Sequence, residues 1–283
     1  KLIQFKLEEA MEFLKNEYSG EIKAAALRVD ITDIGDQGYK GFFLKDCEII
    51  DRLEAKINYL EAEGQSFIWI SLDECSIRSQ SAKIIVNNIG QALKIPVEHI
   101  MMACVHTHSG HNHAIDLELL SNKLVEGIKS LTSKAVAISY LRQTIGKVNN
   151  IVNRRVNLPQ DLGGYCVMFN NQCQVNEDTL ILDATEQVEQ YLKKSEGENF
   201  AGLGQKNGYK LGDHFDHRIH LWELLDSNNK TIISIVRVNA HPVIVSQSRV
   251  GAKLSADYVR VLEKLIEADL GGTCSLFNGA FGD

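Results

Sequence analysis

The chain has 283 residues, long enough for one large domain or two small ones around a substantial core. A hydrophobic fraction of 44% with 24% charged residues sets disorder aside, and no uninterrupted apolar run approaches the ~20 residues that span a bilayer. The net charge of -7 comes with scattered Lys and Arg, so there is no basic footprint for nucleic acid.

No apolar stretch near the start carries the basic flank of a signal peptide, and the chain opens on Lys1 rather than Met, which reads as a processed or cut terminus. Residues 5 to 18 place Phe5, Leu7, Ala10, Met11 and Leu14 at helical spacing, predicting an amphipathic helix. Ile22 to Ile31 is strand-like and breaks into the Gly- and Asp-rich loop DITDIGDQGYKG. Ala55 to Tyr59 and Phe67 to Leu72, separated by Glu63-Gly64-Gln65, predict a hairpin. Helices are expected over 79 to 93 and from Leu120 to Leu131, with a strand from Val97 to Val105 between them.

A further strand is expected near Lys134 to Leu141. Asn157 to Lys210 is rich in Asn, Gln and Gly and reads as irregular, with one helix around Glu186 to Lys193. Arg218 to Leu225 and Thr231 to Asn239 form a second hairpin around Asp226-Ser227-Asn228-Asn229. Ser255 is the expected N-cap of a helix whose Tyr258, Val261, Leu262 and Leu265 share a face, and Cys274 to Phe277 is the last strand. Alternation of strands and helices predicts an α/β class with a mixed, largely buried sheet flanked by helices. No boundary forces a split, so residues 1–283 are read as a single domain, and no internal repeat is visible. The six cysteines form no CxxC pair; Cys47, Cys75, Cys104 and Cys274 read as buried free thiols, while Cys166 and Cys173 can close a small loop.

Four of the nine histidines fall in VHTHSGHNH, residues 105 to 113, behind the apolar run Ile100 to Cys104. On an extended segment His106 and His108 project from one face and can give a metal two nitrogen ligands, or one ligand and one proton carrier. The bland alternative is a polar turn at a strand end. Asn239-Ala240-His241-Pro242 repeats the layout, delivering His241 to a strand's carboxyl end, where ligands of open α/β sheets collect. If the two strands are neighbours, His106 and His241 can share an ion. His214 and His217 sit among charged neighbours, and His220 alternates with Ile219 and Leu221 and is expected to face water, so the three read as a solvated face without a catalytic role.

HTHSG, AHP, SADY and GAFGD, in this order, resemble the catalytic domain of the neutral and alkaline (non-lysosomal) ceramidases and their smaller bacterial relatives. The likeness runs from Leu27 to Thr32 and Gly38-Tyr39, through Ser71-Leu72-Asp73 and HTHSG to Asn153-Arg154-Arg155, and is densest from Ile219 to Asp283. It implies Zn2+ as cofactor with His106 and His241 as ligands, and His108 and Arg154 at the amide-binding site. The implied reaction is hydrolysis of an N-acyl amide in a ceramide-like lipid or related small molecule, within sphingolipid metabolism in the ceramidases proper. Zinc in such a site lowers the pKa of its water to about 7 and polarises the carbonyl. His108 would carry a proton to the leaving amine and Arg154 would stabilise the oxyanion.

Asp73 and Asp257 are expected to orient the ligands. The resemblance also places the family's active-site serine and its remaining ligands, a Glu and a Tyr, beyond the point corresponding to Asp283. His111 and His113 are local substitutes, one of them expected near the metal. Two motif prolines of the family are replaced here, by Asp33 and His111. Membrane contact is implied only through a lipid substrate, and a secreted or cell-surface location only by what is common in the family. The alternatives are a hydrolase of a non-lipid amide, and a non-catalytic binding module of the same fold.

Overall fold

A computed structural model of the chain describes residues 10–12, 21–35, 48–111, 114–148, 155–157, 165–168, 181–182, 216–245 and 253–281. The chain divides into two compact units, residues 1–146 with 219–279, and residues 147–218 with 280–283.

The first unit begins with β1 (Ala10–Glu12), β2 (Ile22–Asp30) and β3 (Glu48–Ile49), followed by the hairpin β4 (Glu54–Ala62) and β5 (Gln65–Leu72). Glu63 and Gly64 both have positive φ, 51° and 73°, the two-residue turn that matches strand twist. Helix α1 (Ser79–Leu93) leads through one 3-10 turn into β6 (Ile100–Cys104), which lies parallel to β5. Helix α2 (Leu117–Thr132) then leads to β7 (Val136–Ala137). These strands form a mixed sheet in the order β6-β5-β4-β2-β7.

Alternation along β4 divides its faces. Ile57 joins Ile70, Ile85, Ile89, Leu120 and Leu124 in the fully buried apolar core under the two helices. Each such side chain contributes roughly 1.5–3 kcal/mol by leaving water. The helix lies so close that a Cβ on Gly127 would meet Ile57 Cδ1 and Val29 Cγ2 at 2.9 Å, which is why the position carries glycine.

The other face is polar and also buried. Asn58 Nδ2 donates to Ser275 Oγ at 3.0 Å and Ser71 Oγ to the Leu276 carbonyl at 2.7 Å. Both acceptor residues belong to a second mixed sheet. It is built in the order β1-β8-β12-β13-β15 from β1 with β8 (Tyr140–Lys147), β12 (Arg218–Leu225), β13 (Thr231–Val238) and β15 (Thr273–Asn278). A short β14 (Lys253–Leu254) pairs with β3, and helix α3 (Tyr258–Leu270) connects it to β15. Lys56 is fully buried between Asp73 and Glu263, and Arg28 reaches Glu54, Glu263 and Glu267. Burial opposes the charged forms of Lys56 and Arg28, but the facing carboxylates hold both above their ordinary pKa. Helix α3 also serves the free edge of β15, where Glu267 accepts from Cys274 N and Glu263 from Leu276 N, each at 2.8 Å.

In the second unit, β9 (Arg155–Asn157), β10 (Tyr165–Met168) and β11 (Ile181–Leu182) form a small antiparallel sheet in the order β11-β10-β9. Among the described residues no helix is long and apolar enough to cross a membrane.

Several expectations need correction. Ala10, Met11 and Glu12 are strand, because pairing with Arg142 to Thr144 outweighs a helical pattern. The strand expected near Lys134 to Leu141 falls on the two-residue β7 and the start of β8, which lie in different sheets and are broken at Ile138-Ser139. The segment read as irregular contains β10 and β11, whereas its expected helix at Glu186 to Lys193 lies outside the described residues. The N-cap of α3 is Asp257, whose carboxylate accepts from Tyr258 N. That helix buries Val259, Arg260 and Glu263 while Val261 and Leu265 are 59% and 45% exposed, since it packs through charged contacts to the sheets rather than through the apolar stripe. His220 is 9% exposed and stacks on Trp222, so it does not face water; its place in β12, inside the second sheet, buries it. Cys75, Cys104 and Cys274 are free thiols, and burial with nearby Glu74 or Glu263 pushes Cys104 and Cys274 up to about 12. Cys47 and Cys173 lie outside the described residues.

Candidate metal centre

Beyond β6 the ladder to β5 continues for two more bonds: Val105 N donates to Leu72 O and His106 N to Glu74 O, both at 2.9 Å. His106 then turns left-handed, with φ 69°. That conformation is costly for a residue with a side chain and is characteristic of sites that impose it. Simple strand alternation therefore does not govern His106 and His108. The left-handed step brings their rings together instead, with centroids 5.0 Å apart. His106 Nδ1 lies 2.7 Å from the Cys75 carbonyl. A carbonyl can only accept, so Nδ1 carries the proton and Nε2 the lone pair, the tautomer that metal-binding imidazoles adopt.

His241 arrives from the other sheet, three residues past the end of β13. β6 and β13 are not neighbouring strands, so the expected route of sharing along one sheet edge is replaced by approach from two sheets. The SADY segment ties the two loops together. Tyr258 OH donates to Ala240 O at 2.8 Å and Val245 N donates to Asp257 Oδ2 at 2.7 Å, bracketing His241. Thr107 Oγ1 donates to Ser255 O at 2.7 Å and Ser255 N to Ser109 O at 3.0 Å, bracketing His108. A bond of 3.3 Å from His108 N to Pro242 O joins the loops directly. Burial and the Asp257 charge raise the Tyr258 phenol, which keeps it a donor. Asp257 itself sits at φ 62°, ψ -150°, a region essentially reserved for glycine, with its carboxylate bound by backbone donors that include Val245 N and Tyr258 N.

The His106 and His241 centroids are 4.7 Å apart and those of His108 and His241 4.8 Å, with interplanar angles of 67° and 68°. Imidazoles sharing one tetrahedral zinc at about 2.0–2.1 Å per Zn–N bond have centres about 5 Å apart, so this donor set fits the ion. Nε2 of His241 is 2.8 Å from Nε2 of His108, a direct hydrogen bond. Opening it by about 0.5 Å reaches the separation of two nitrogens on one zinc. His108 is exposed, whereas His106 and His241 are half-buried.

Ligand atoms of Cys75, His106 and His108 also lie within 4.8 Å of one another. Cys75 Sγ is 3.8 Å from His106 Nδ1, the nitrogen already committed to the Cys75 carbonyl, and burial together with the Glu74 charge raises its thiol. The thiol thus stands at the far edge of the ring from the lone pair.

The expected aspartates act differently from expectation. Asp73 binds Lys56 and Glu54 N between the sheets, and among the described residues it orients no imidazole. Asp257 holds the backbone of the His241 loop rather than its ring. His111 is fully buried; its Nδ1 meets Glu74 and its Nε2 lies 3.0 Å from Thr32 O. Burial works against a charged ring, but Glu74 and then the Thr32 carbonyl outweigh it and raise the pKa. With a carboxylate at one nitrogen and a carbonyl at the other, both nitrogens are engaged and neither is open to a metal. Arg154, His113 and His214 lie outside the described residues. Sequence reasoning missed Glu74, gave Cys75 no place at the site, and read Ser255 as a helix cap rather than as a tie to the His108 loop. Only the adjacency of Glu74 and Cys75 to Asp73 at a strand end offered a signal.

No protein-family model matches the chain, and no curated protein matches it. Solved structures that share its fold include a ceramidase complexed with C2, with a TM-score of 0.59, and the neutral ceramidase from Pseudomonas aeruginosa, with a TM-score of 0.60. Identity is 15% with each; the matches cover 93% of this chain but only 38% and 39% of those chains. The chain therefore spans less than two fifths of the length of either, and at this identity the likeness establishes the fold.

Proposed function

From this shared fold and the three converging imidazoles, we propose that the chain is part of a zinc-dependent amidohydrolase that cleaves an N-acyl amide, with a ceramide-like lipid as the leading substrate class. The observation that carries the reading is the approach of His106, His108 and His241 to within 4.7–5.0 Å between ring centres. Zinc, when bound, supplies a nucleophile at neutral pH and polarises the amide carbonyl.

The protein's own groups divide the remaining work. His106 and His241, half-buried, would hold the ion, the first with its Nε2 left open by the bond from Nδ1 to the Cys75 carbonyl. His108, exposed and within hydrogen-bond distance of His241, moves a proton to the leaving amine. Arg154 keeps the oxyanion role implied by the Asn153-Arg154 motif.

The test combines zinc content by elemental analysis with turnover of short- and long-chain N-acyl amides. About one zinc per chain, with preference for long acyl chains, supports the lipid amidase. Cleavage of short amides alone assigns a non-lipid substrate, and hydrolysis that persists in metal-free His106→Ala protein refutes the zinc mechanism.

A further inference from the structure

We propose that the buried Glu74–His111 pair is a positioning device for the metal centre, fixing the loop from His106 to Gly110 so that the His106 ring is held toward His241 with His108 beside them. This rests on the reading of His106 and His241 as metal ligands with His108 beside them. Glu74 acts at both ends of the loop. Its carbonyl accepts from His106 N at 2.9 Å, and its carboxylate accepts from His111 N at 2.9 Å and from the His111 ring. The second ring nitrogen of His111 donates to Thr32 O at 3.0 Å, anchoring the loop to the turn after β2. Five residues, 106 to 110, are thus strung between two fixed points, and His106 and His108 lie within them.

Close packing reinforces the clamp. A Cβ on Gly110 would stand 2.6 Å from Glu74 Oε2, so the carboxylate rests directly against the loop backbone. Both side chains are fully buried. A buried ion pair is seldom more stable than an apolar pair of equal volume, because desolvation offsets the attraction. Its distinctive contribution is directional: three hydrogen bonds with fixed geometry, which an apolar pair cannot supply. Since both nitrogens of His111 are engaged, it cannot serve as a spare ligand.

The experiment compares zinc affinity, by chelator competition, and the visible absorption of the cobalt-substituted protein in wild type, in Glu74→Gln, and in the double variant Glu74→Met with His111→Leu. Leu124→Ala is the control for lost stability. Wild type binding one zinc, with the double variant about 10–100-fold weaker and its cobalt bands shifted, is the expected result. Glu74→Gln, which keeps an acceptor, should fall between them and retain the wild-type cobalt spectrum. A double variant with wild-type affinity and an unchanged spectrum overturns the proposal, as does an equal loss of affinity in Leu124→Ala. Wild type that takes up neither metal overturns the metal-site reading itself, and the wild-type measurement alone reveals it.

Discussion

His106 and His241 face each other at 4.7 Å between ring centres, although one follows the edge strand of the first sheet and the other follows β13 of the second. A metal shared by them would couple the two sheets. His106→Ala and His241→Ala are each expected to abolish zinc uptake, whereas His108→Ala should retain the ion and lose turnover. Elemental analysis with amide hydrolysis decides this, and loss of zinc from His108→Ala would reassign that residue as a ligand.

Arg154→Ala is expected to leave zinc content intact and lower kcat by about 10²–10³, the usual cost of removing one oxyanion donor. Steady-state kinetics on the best amide substrate checks it; a change in KM alone would make Arg154 a binding group.

Tyr258→Phe removes the hydroxyl that donates to Ala240 O. A stability loss of about 1 kcal/mol is expected in urea unfolding. Because that bond brackets His241, zinc affinity should fall as well, which a purely packing role for the ring would not produce.

Lys56→Met leaves Asp73 and Glu263 buried without their shared cation. Removing one partner of a buried pair costs about 3–5 kcal/mol. Denaturant midpoints measure it, and a loss under 1 kcal/mol would mean that water or proton uptake compensates.

The pH dependence of stability follows from His111. Glu74 raises its folded-state pKa above the ordinary 6.5 against the opposing effect of burial. The folded state therefore binds this proton more tightly than the unfolded chain does. The resulting stabilisation is fully present below pH 6.5 and declines as pH rises through the folded value. Subtracting the pH–stability curve of His111→Gln from that of wild type should isolate this decline, and a flat difference above pH 6.5 would show that the ring is not charged in the native protein.

Regular elements were legible wherever one periodicity dominated. The hairpin around Glu63-Gly64 and helices α1 and α2 follow directly from period-two and period-3.6 patterns. Helix α3 was found but turned the wrong way, because its buried side is charged: Arg260 and Glu263 answer charges on other elements that no local window contains. The candidate site shows the same division. His106, His108 and His241 are visible as strand-end motifs, yet the reason for their convergence is a left-handed backbone at His106 and a set of bonds from Ser255, Asp257 and Tyr258. Sequence spacing encodes neither. His111 looked like a spare ligand because only tertiary contact with Glu74 and Thr32 reveals that its nitrogens are already used.

The glutamates of α3 that take Cys274 N and Leu276 N have a consequence for life in a crowded solution. A sheet margin with open amide donors is a template on which a stray strand can add, the first step toward domain swapping or fibrillar aggregates. With those donors satisfied by side chains of a covering helix, the margin at Cys274 and Leu276 is closed to a passing chain.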